Sequence, residues 1–318
     1  MSDEHTHNGQ CHAYHEKLDI IEDGFDQLEL EILRIRAKMS QDLYAQREKV
    51  ISEIPNFWPS VFEQAPEILG YIQTADHDVL PVALKNLTVE RFELPNGHPL
   101  SFLLKFEFSE NEYFENSVLE KKFWWRCAKD GRESYVSEPV EIKWKPGKDL
   151  TNGLLDLAIK IYEEDKAGKC DKQSPAREAL ANTLDHTDFG TISFFNMFGY
   201  RGRYITAEES AMAFMETEEK RKAHKEGKPP VDEEMEDDDE DDEDELEIFL
   251  NADELAVAIA EDLYPDAIGY FRENEQSATM SDVDLDDEDE DDEDEDDEDE
   301  DDENEGGRVR ASSCDESR

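Results

Sequence analysis

The chain has 318 residues, long enough for one or two domains with a hydrophobic core, and a formal net charge of −53. The charge is uneven, because residues 1–231 carry −13 and the remaining 87 residues carry −40. A field this negative repels nucleic acid and anionic lipid and attracts basic proteins. We therefore expect no membrane partner and no direct, sequence-specific binding of nucleic acid.

The first predicted element is a long helix over residues 14–54, preceded by a disordered N-terminus at 1–13. Its apolar residues recur at alternating steps of three and four, the pattern of a coiled-coil seam. The seam consists of Leu18, Ile21, Phe25, Leu28, Ile32, Ile35 and Met39. A helix of this length spans about 60 Å, and no second segment of the chain matches it. We predict that the same helix of a second chain covers the seam, parallel or antiparallel, so that it forms a homodimer interface. A long core helix within one chain is the alternative.

A run of four strands is predicted next, inside a domain that we place at residues 55–275. Alternating apolar and polar residues, or aromatic and β-branched ones, indicate strands at 85–94, 100–108, 118–127 and 133–144. Pro95-Asn96-Gly97 and Asp130-Gly131 are typical of hairpin turns. Consecutive strands with short turns predict an antiparallel sheet.

Helices are predicted again in the second half of the chain. The segments are "NGLLDLAIKIYEED" (152–165), the aromatic "GTISFFNMFGY" (190–200) and "NADELAVAIAEDLYPDAIGYFRE" (251–273), with Asn251 or Asp253 as the N-cap of the last. Strands first and helices afterwards indicate the α+β class, with the helices on one face of the sheet.

Two acidic runs follow from the charge count. Asp232 to Glu247 holds 14 acids in 16 positions and closes an insertion at 200–247, and Asp282 to Glu305 holds 21 acids within a C-terminal tail at 276–318. Repelling charges without apolar area cannot offset the entropy of ordering, so we predict that both runs are disordered. Lys220, Arg221 and Lys222 precede the first run. They form a candidate nuclear import signal, with a solvated basic patch as the alternative.

The motifs of catalysis and metal binding are missing from the sequence. It has no phosphate-binding glycine loop, no HExxH or GxSxG motif, and none of its four cysteines is paired at CxxC spacing. We therefore predict no enzymatic activity, no catalytic residues, no metal site and no cofactor.

Several local stretches resemble one known family. They are "REKVISEIPNFWPSVF" (47–62), "NEYFENSVLEKKF" (111–123), "EIKWKPGKDLT" (141–151), "SFFNMF" (193–198) and "ADELAVAIAEDLYPDAIGYF" (252–271). In this order they resemble the nucleosome assembly protein family of histone chaperones, and its SET-type branch in particular. The resemblance implies a homodimer in which each long helix carries an "earmuff" domain with an acidic, concave underside that binds histones.

The resemblance also implies residues and partners. Asp253, Glu254 and Asn196 match positions of histone contact, and the two acidic runs would add to them. As an alternative, Asp253 and Glu254 only interact favourably with a helix dipole, by about 0.3–1 kcal/mol. The partners would be core histones, either the H3–H4 pair or the H2-type pair, in nucleosome assembly and disassembly. The location would be nuclear, with shuttling to the cytoplasm. The alternative function is a regulatory protein that scaffolds or inhibits a histone acetyltransferase or a phosphatase.

Overall fold

The long N-terminal helix dominates the computed structural model, which describes residues 3–168, 174–187, 192–225 and 247–283. This helix, α1, runs from Asp3 to Ile51. It therefore begins before residue 14, inside the segment for which we expected disorder. It ends three residues before 54, because the chain tightens into turns in which Glu53 and Ile54 donate to the carbonyls of Val50 and Ile51. These turns lead into Pro55, which cannot continue a helix.

Three short helices connect α1 to the sheet. They are α2 (Phe57–Glu63), α3 (Pro66–Leu69) and α4 (Leu80–Ala83). Pro66 occupies the first turn of α3, where a missing N–H costs no hydrogen bond. Trp58, Val61 and Phe62 are buried in the main core, so α2 holds its apolar face against the domain.

The sheet has four antiparallel strands in the order β1-β2-β3-β4. Its strands are β1 (Leu84–Glu90), β2 (Phe102–Phe108), β3 (Val118–Cys127) and β4 (Glu133–Ser137). The predicted α+β class and the four-stranded antiparallel sheet are confirmed. Phe102 pairs with Phe123 and Phe106 with Leu119, so aromatic and aliphatic side chains line one face.

Two strands are shorter than the sequence pattern predicts. β1 ends at Glu90, and the side chain of the next residue, Arg91, donates to the carbonyl of Leu100 at 2.9 Å and pairs with Glu261. Pro95-Asn96-Gly97 therefore belongs to a longer loop, 91–101, rather than to a tight hairpin turn. β4 ends at Ser137, just before Pro139, which has no N–H for a ladder.

The second half of the described chain contains five α-helices. They are α5 (Leu154–Lys166), α6 (Pro175–Leu184), α7 (Ala207–Lys225), α8 (Ala252–Ala258) and α9 (Ala267–Val283). A 3-10 helix, Phe194–Gly199, precedes α7, and a π-helical turn, Ile259–Leu263, follows α8. Asn251 occupies the N-cap position of α8, as predicted, but its side chain makes no capping hydrogen bond.

Two elements lie where the sequence pattern predicted none. α6 was not expected, and α7 lies in the insertion at 200–247. The acidic positions 232–246 and 284–305 lie outside the described residues. For these positions, the predicted disorder of both runs stays a prediction.

The core is rich in aromatic rings that come from distant segments. The ring of Phe106 lies 6.0 Å from that of Phe194 and 5.7 Å from that of Phe198. Buried Asp76 anchors the 3-10 helix, because it accepts hydrogen bonds from the Ser193 hydroxyl at 2.5 Å and the Phe194 N–H at 2.8 Å. Burial raises the pKa of this carboxyl, although these hydrogen bonds lower it.

A lysine is also part of this core. Lys121 is fully buried in β3, and its ammonium donates to the carbonyls of Glu138, Phe198 and Tyr200 at 2.8, 3.0 and 2.6 Å. Burial lowers the pKa of the ammonium well below its usual value. These three bonds tie β3 to the residue that follows β4 and to the end of the 3-10 helix.

Candidate acidic interface

The predicted seam lies on the surface of α1. Its residues, from Leu18 to Met39, are 53–72% exposed, and Leu43 and Val50 continue the stripe at 64% and 63%. Isolated exposed apolar residues are common on proteins, but a continuous stripe along a helix is typical of an interaction surface.

The opposite face of α1 is turned toward its own domain and packs on the domain core at its C-terminal end, through Tyr44 and Ile51. Leu30, Leu33, Ala37 and Tyr44 are half-buried and Ile51 is buried. Leu30 and Ala37 each lie two residues beyond a seam position, which is about 200° around an α-helix. α1 thus has two packing faces, one that contacts its own chain and one that is left exposed.

The C-terminal end of α1 is held by a cluster of aromatic rings around Arg47. The guanidinium lies 4.3 Å from the ring centroid of Tyr264, 4.7 Å from that of Tyr44 and 5.8 Å from that of Trp58. It also donates to the carbonyl of Tyr264 at 2.5 Å. Arg47 therefore joins α1 to the turn between α8 and α9.

Beyond this turn, carboxylates from two distant segments surround Tyr270. The Tyr270 hydroxyl donates to Glu67 at 3.3 Å. Burial raises the pKa of the phenol, and the nearby charges of Glu67, Asp266 and Asp262 raise it further. Asp262, Asp266 and Glu67 are exposed. We call these three acids and Tyr270 the acidic cluster.

Sequence reasoning did not identify the acidic cluster. Asp262 and Asp266 are four residues apart, which is a visible signal, but acids at this spacing are common in so acidic a chain. Glu67 precedes them by almost 200 residues, so only the fold brings it to the same place. The cluster depends on α3 packing beside α8.

The two predicted acids on α8 are placed differently. Glu254 is exposed and Asp253 is half-buried in the first turn of the helix. Asp253 lies close enough to Tyr135 to help raise the pKa of that phenol, although burial is the main cause of its rise to about 12. At about 1.5 Å per residue, Asp253 lies about 13 Å along the helix axis from Asp262.

Asn196 does not reach the surface. It is 1% exposed, and its side-chain amide donates to the carbonyl of Ser193 at 3.3 Å. A histone docked on the surface cannot contact it in this position, so we remove Asn196 from the set of candidate contacts. Its place in the aromatic 3-10 helix explains the burial, because both neighbouring residues are also core residues.

The basic segment lies at the C-terminal end of α7. Arg221 forms an ion pair with Asp23 of α1 at 3.1 Å, and Lys222 forms one with Glu218 at 3.4 Å. Lys220 is exposed. All three residues lie within α7. A nuclear import receptor that binds its signal in an extended conformation would first have to unfold this end of the helix.

The described residues lack two other kinds of site. Within the parts of the chain that the structure describes, no group of three or more His, Cys, Asp or Glu side chains could hold a metal ion. None of the helices described here is long and apolar enough to cross a membrane.

Comparison with known proteins gives a family. The model of the nucleosome assembly protein family matches residues 4–274, which is most of the chain. The chain belongs to the nucleosome assembly protein family. The match covers α1, the sheet and the acidic cluster together.

Individual relatives match shorter parts. A putative nucleosome assembly protein of Schizosaccharomyces pombe is 35% identical over 145 residues, which cover 42% of this chain and 59% of that protein. Protein SET of Drosophila melanogaster is 32% identical over 149 residues, which cover 46% of this chain and 54% of that protein. The aligned part thus spans little more than half the length of these curated relatives.

Two solved structures have a similar fold. The crystal structure of Ccp1 superimposes with a TM-score of 0.50 at 27% identity, covering 83% of this chain and 96% of that one. A crystal structure of Vps75 superimposes with a TM-score of 0.51 at 22% identity, covering 81% and 97%. The fold of the earmuff domain and its long helix is therefore that of this family.

Proposed function

We propose that this protein is a histone chaperone that binds core histones for nucleosome assembly and disassembly. The observation that carries the proposal is the family match over residues 4–274, which includes the long helix and the acidic cluster. The net charge of −53 supports it, because core histones are strongly basic. A nuclear location is part of the same proposal.

The exposed seam supports a homodimer as the working form. A stripe that is more than half exposed over most of α1 would be covered by the same helix of a second chain. Each dimer would then carry two acidic clusters, one in each domain. Two clusters on one rigid frame would bind a basic partner at two points, which raises the effective concentration at the second point.

Exposed charges would determine how a histone is bound and released. Individual surface ion pairs contribute less than about 1 kcal/mol each and are screened by salt. Many such contacts shield a histone from stray DNA and still let it leave quickly. The acidic runs at 232–247 and 282–305 would add negative charge that attracts the same basic partner. No nucleotide is needed for release of this kind.

A titration of core histones against charge-neutral variants tests the proposal. The first variant combines Glu67→Gln, Asp262→Asn and Asp266→Asn, which keeps side-chain size and leaves a capping residue before α9. Loss of three exposed contacts should weaken histone binding about tenfold at physiological salt, at about 0.5 kcal/mol per contact. The measurement is the dissociation constant from fluorescence of labelled histones.

The matched control neutralises three exposed acids elsewhere, Glu115→Gln, Glu120→Gln and Glu163→Gln. Because the total charge change is the same, the control should bind histones almost as tightly as the unchanged protein. Equal weakening in both variants would mean that net charge, and not the acidic cluster, governs binding. A chain of residues 1–276 that binds no histones at all would contradict a histone-binding core.

A further inference from the structure

Helix α7 is attached to the domain at its N-terminal half. The hydroxyl of Ser210 accepts a hydrogen bond from the backbone N–H of Cys127 in β3 at 3.0 Å, and both residues are buried. Just before the helix, Arg203 pairs with Asp130 at 2.6 Å, and the Thr206 hydroxyl caps the N–H of Glu209 at 3.1 Å. These contacts hold the start of α7 against the end of β3.

The other end of α7 reaches the long helix. Arg221 and Asp23 pair at 3.1 Å with side chains 30% and 25% exposed. Asp23 lies on the face of α1 that is turned toward its own domain, away from the seam. α7 therefore connects β3 to the N-terminal half of α1.

The loop between β1 and β2 is held from both helices. The ring of His98 stacks on Phe214 of α7 at 5.3 Å and on Trp125 of β3 at 6.1 Å. From the other side, Arg34 of α1 donates to the carbonyl of Gly97 at 3.2 Å. A cleft of 1140 Å³ lies between α1, α7 and this loop.

The cleft runs along the middle of α1, from Asp26 to Arg36, where the helix does not pack closely on its own domain. Between the Arg47 cluster and Asp23, the long helix borders open space, with Leu30, Leu33 and Met215 among the residues that line it. From Arg47 to Asp23 the helix extends about 36 Å at 1.5 Å per residue. Apart from the contacts of Arg34 with Gly97 and of Asp23 with Arg221, the helix is held at its Arg47 end, and without them it could pivot about that end.

We propose that α7 is a strap that fixes the angle between α1 and the earmuff domain. The pair Arg221–Asp23 is its outer attachment, and the stack of Phe214 on His98 is its inner one. In the homodimer, the strap sets the distance between the two acidic clusters, because each domain is carried on its own α1. This last consequence rests on the proposed function, whereas the strap itself concerns a single chain.

A charge exchange in the full-length protein tests the strap. Arg221→Glu and Asp23→Arg should each break the outer attachment, and the double variant should restore it with the charges reversed. Hydrogen exchange in the α7 peptide and in α1 residues 20–37 should be about fivefold faster in each single variant, the factor given by one partly exposed pair. The double variant should return to the original rates. Lys222→Glu, the same charge change one residue away, should leave α1 unchanged.

Small-angle scattering of the same variants measures the consequence for the dimer. The single variants should give a broader distribution of distances between domains, and the double variant should give the original distribution. Unchanged exchange rates in both single variants, or no recovery in the double variant, would overturn the strap. If the protein were a monomer or bound no histones, the proposed function would fail, but the exchange rates of α7 and α1 would still test the strap.

Discussion

Arg47 by itself makes several of the contacts that position the long helix on its domain. Its guanidinium lies among three aromatic rings and donates to the carbonyl of Tyr264. A desolvated cation beside aromatic rings contributes about 1–2 kcal/mol in such settings. The same contacts place the turn that precedes α9, and the acidic cluster lies around that turn. The positively charged Arg47 thus helps to hold in place the turn that carries the negatively charged acidic cluster.

His98 gives a pH dependence that can be measured at the residue scale. Burial, together with the nearby charge of Arg34, lowers the pKa of its imidazole from 6.5 to about 4, although the charge of Glu93 opposes this shift. Well above pH 6.5 the ring is neutral in both the folded and the unfolded chain, so protonation of His98 takes nothing from the unfolding free energy. As the pH falls from 6.5 toward 4, the unfolded chain binds the proton first, and stability is lost.

We predict that His98→Phe removes this part of the pH dependence. A phenyl ring can still stack between Trp125 and Phe214, but it does not titrate. Between pH 7.5 and pH 5, the unchanged protein should lose about 1 kcal/mol of unfolding free energy relative to the variant, after allowance for solvent screening. Urea unfolding at the two pH values measures the difference. An equal loss in both proteins would show that His98 is not buried as described.

At the scale of elements, α1 is organised by two faces. The seam is apolar and exposed, whereas the opposite face is half-buried at Leu30 and joins the domain core at Tyr44 and Ile51. A helix with apolar residues on one stripe only would be stable on the surface of a single domain. The fold of one chain leaves the apolar seam exposed to water. This exposure is the physical argument for a partner helix that covers the seam.

We predict that Ile32→Glu weakens the homodimer. In the paired helix, each copy would bury an unpaired carboxylate, which costs several kcal/mol, so the dimer dissociation constant should rise by about a hundredfold or more. Gln41→Glu is the control, because it adds the same charge at an exposed residue of α1 that lies outside the seam. Sedimentation velocity at micromolar concentration distinguishes dimer from monomer. Unchanged dimers of the Ile32 variant, or a monomeric unchanged protein, would contradict the seam as interface.

At the scale of the whole molecule, most of the net charge and most of the described core lie in different parts of the chain. Most of the net charge lies after residue 231, and most of the described core lies before it. Surface charges act over about 10 Å at 0.1 M salt, so the acidic runs influence partners mainly when salt is low. The described domain holds its carboxylates at fixed positions, and the acidic runs contribute most of the negative charge.

The salt dependence of histone binding tests this division. A chain that ends at Gln276 should bind core histones more weakly than the full chain at about 0.05 M salt, and the difference should narrow at about 0.3 M. A control in which Asp286 to Glu303 are changed to Asn and Gln keeps the length of the tail without its charge. It should behave like the shortened chain. A tail effect that is independent of salt would argue against electrostatic action.

Local patterns in the sequence predicted a large share of the fold. The alternation of Phe102, Leu104 and Phe106 predicted β2, and the steps of three and four from Leu18 to Met39 predicted the seam. Such patterns repeat within a few residues, so they are visible without the tertiary structure. The lengths of β1 and β4 were predicted less well, because Arg91 and the residues after Ser137 bind partners far away in the chain.

The sequence by itself determined the α+β class, the seam and the uneven charge, because these depend on composition and on spacing within single segments. Only the tertiary structure decided that Glu67, Asp262 and Asp266 all lie near Tyr270, since α3 packs beside α8. It also placed Asn196 in the core, and it joined Arg221 to Asp23 across almost 200 residues. Contacts between distant segments depend on the packing of the whole domain, and no local pattern in the chain records them.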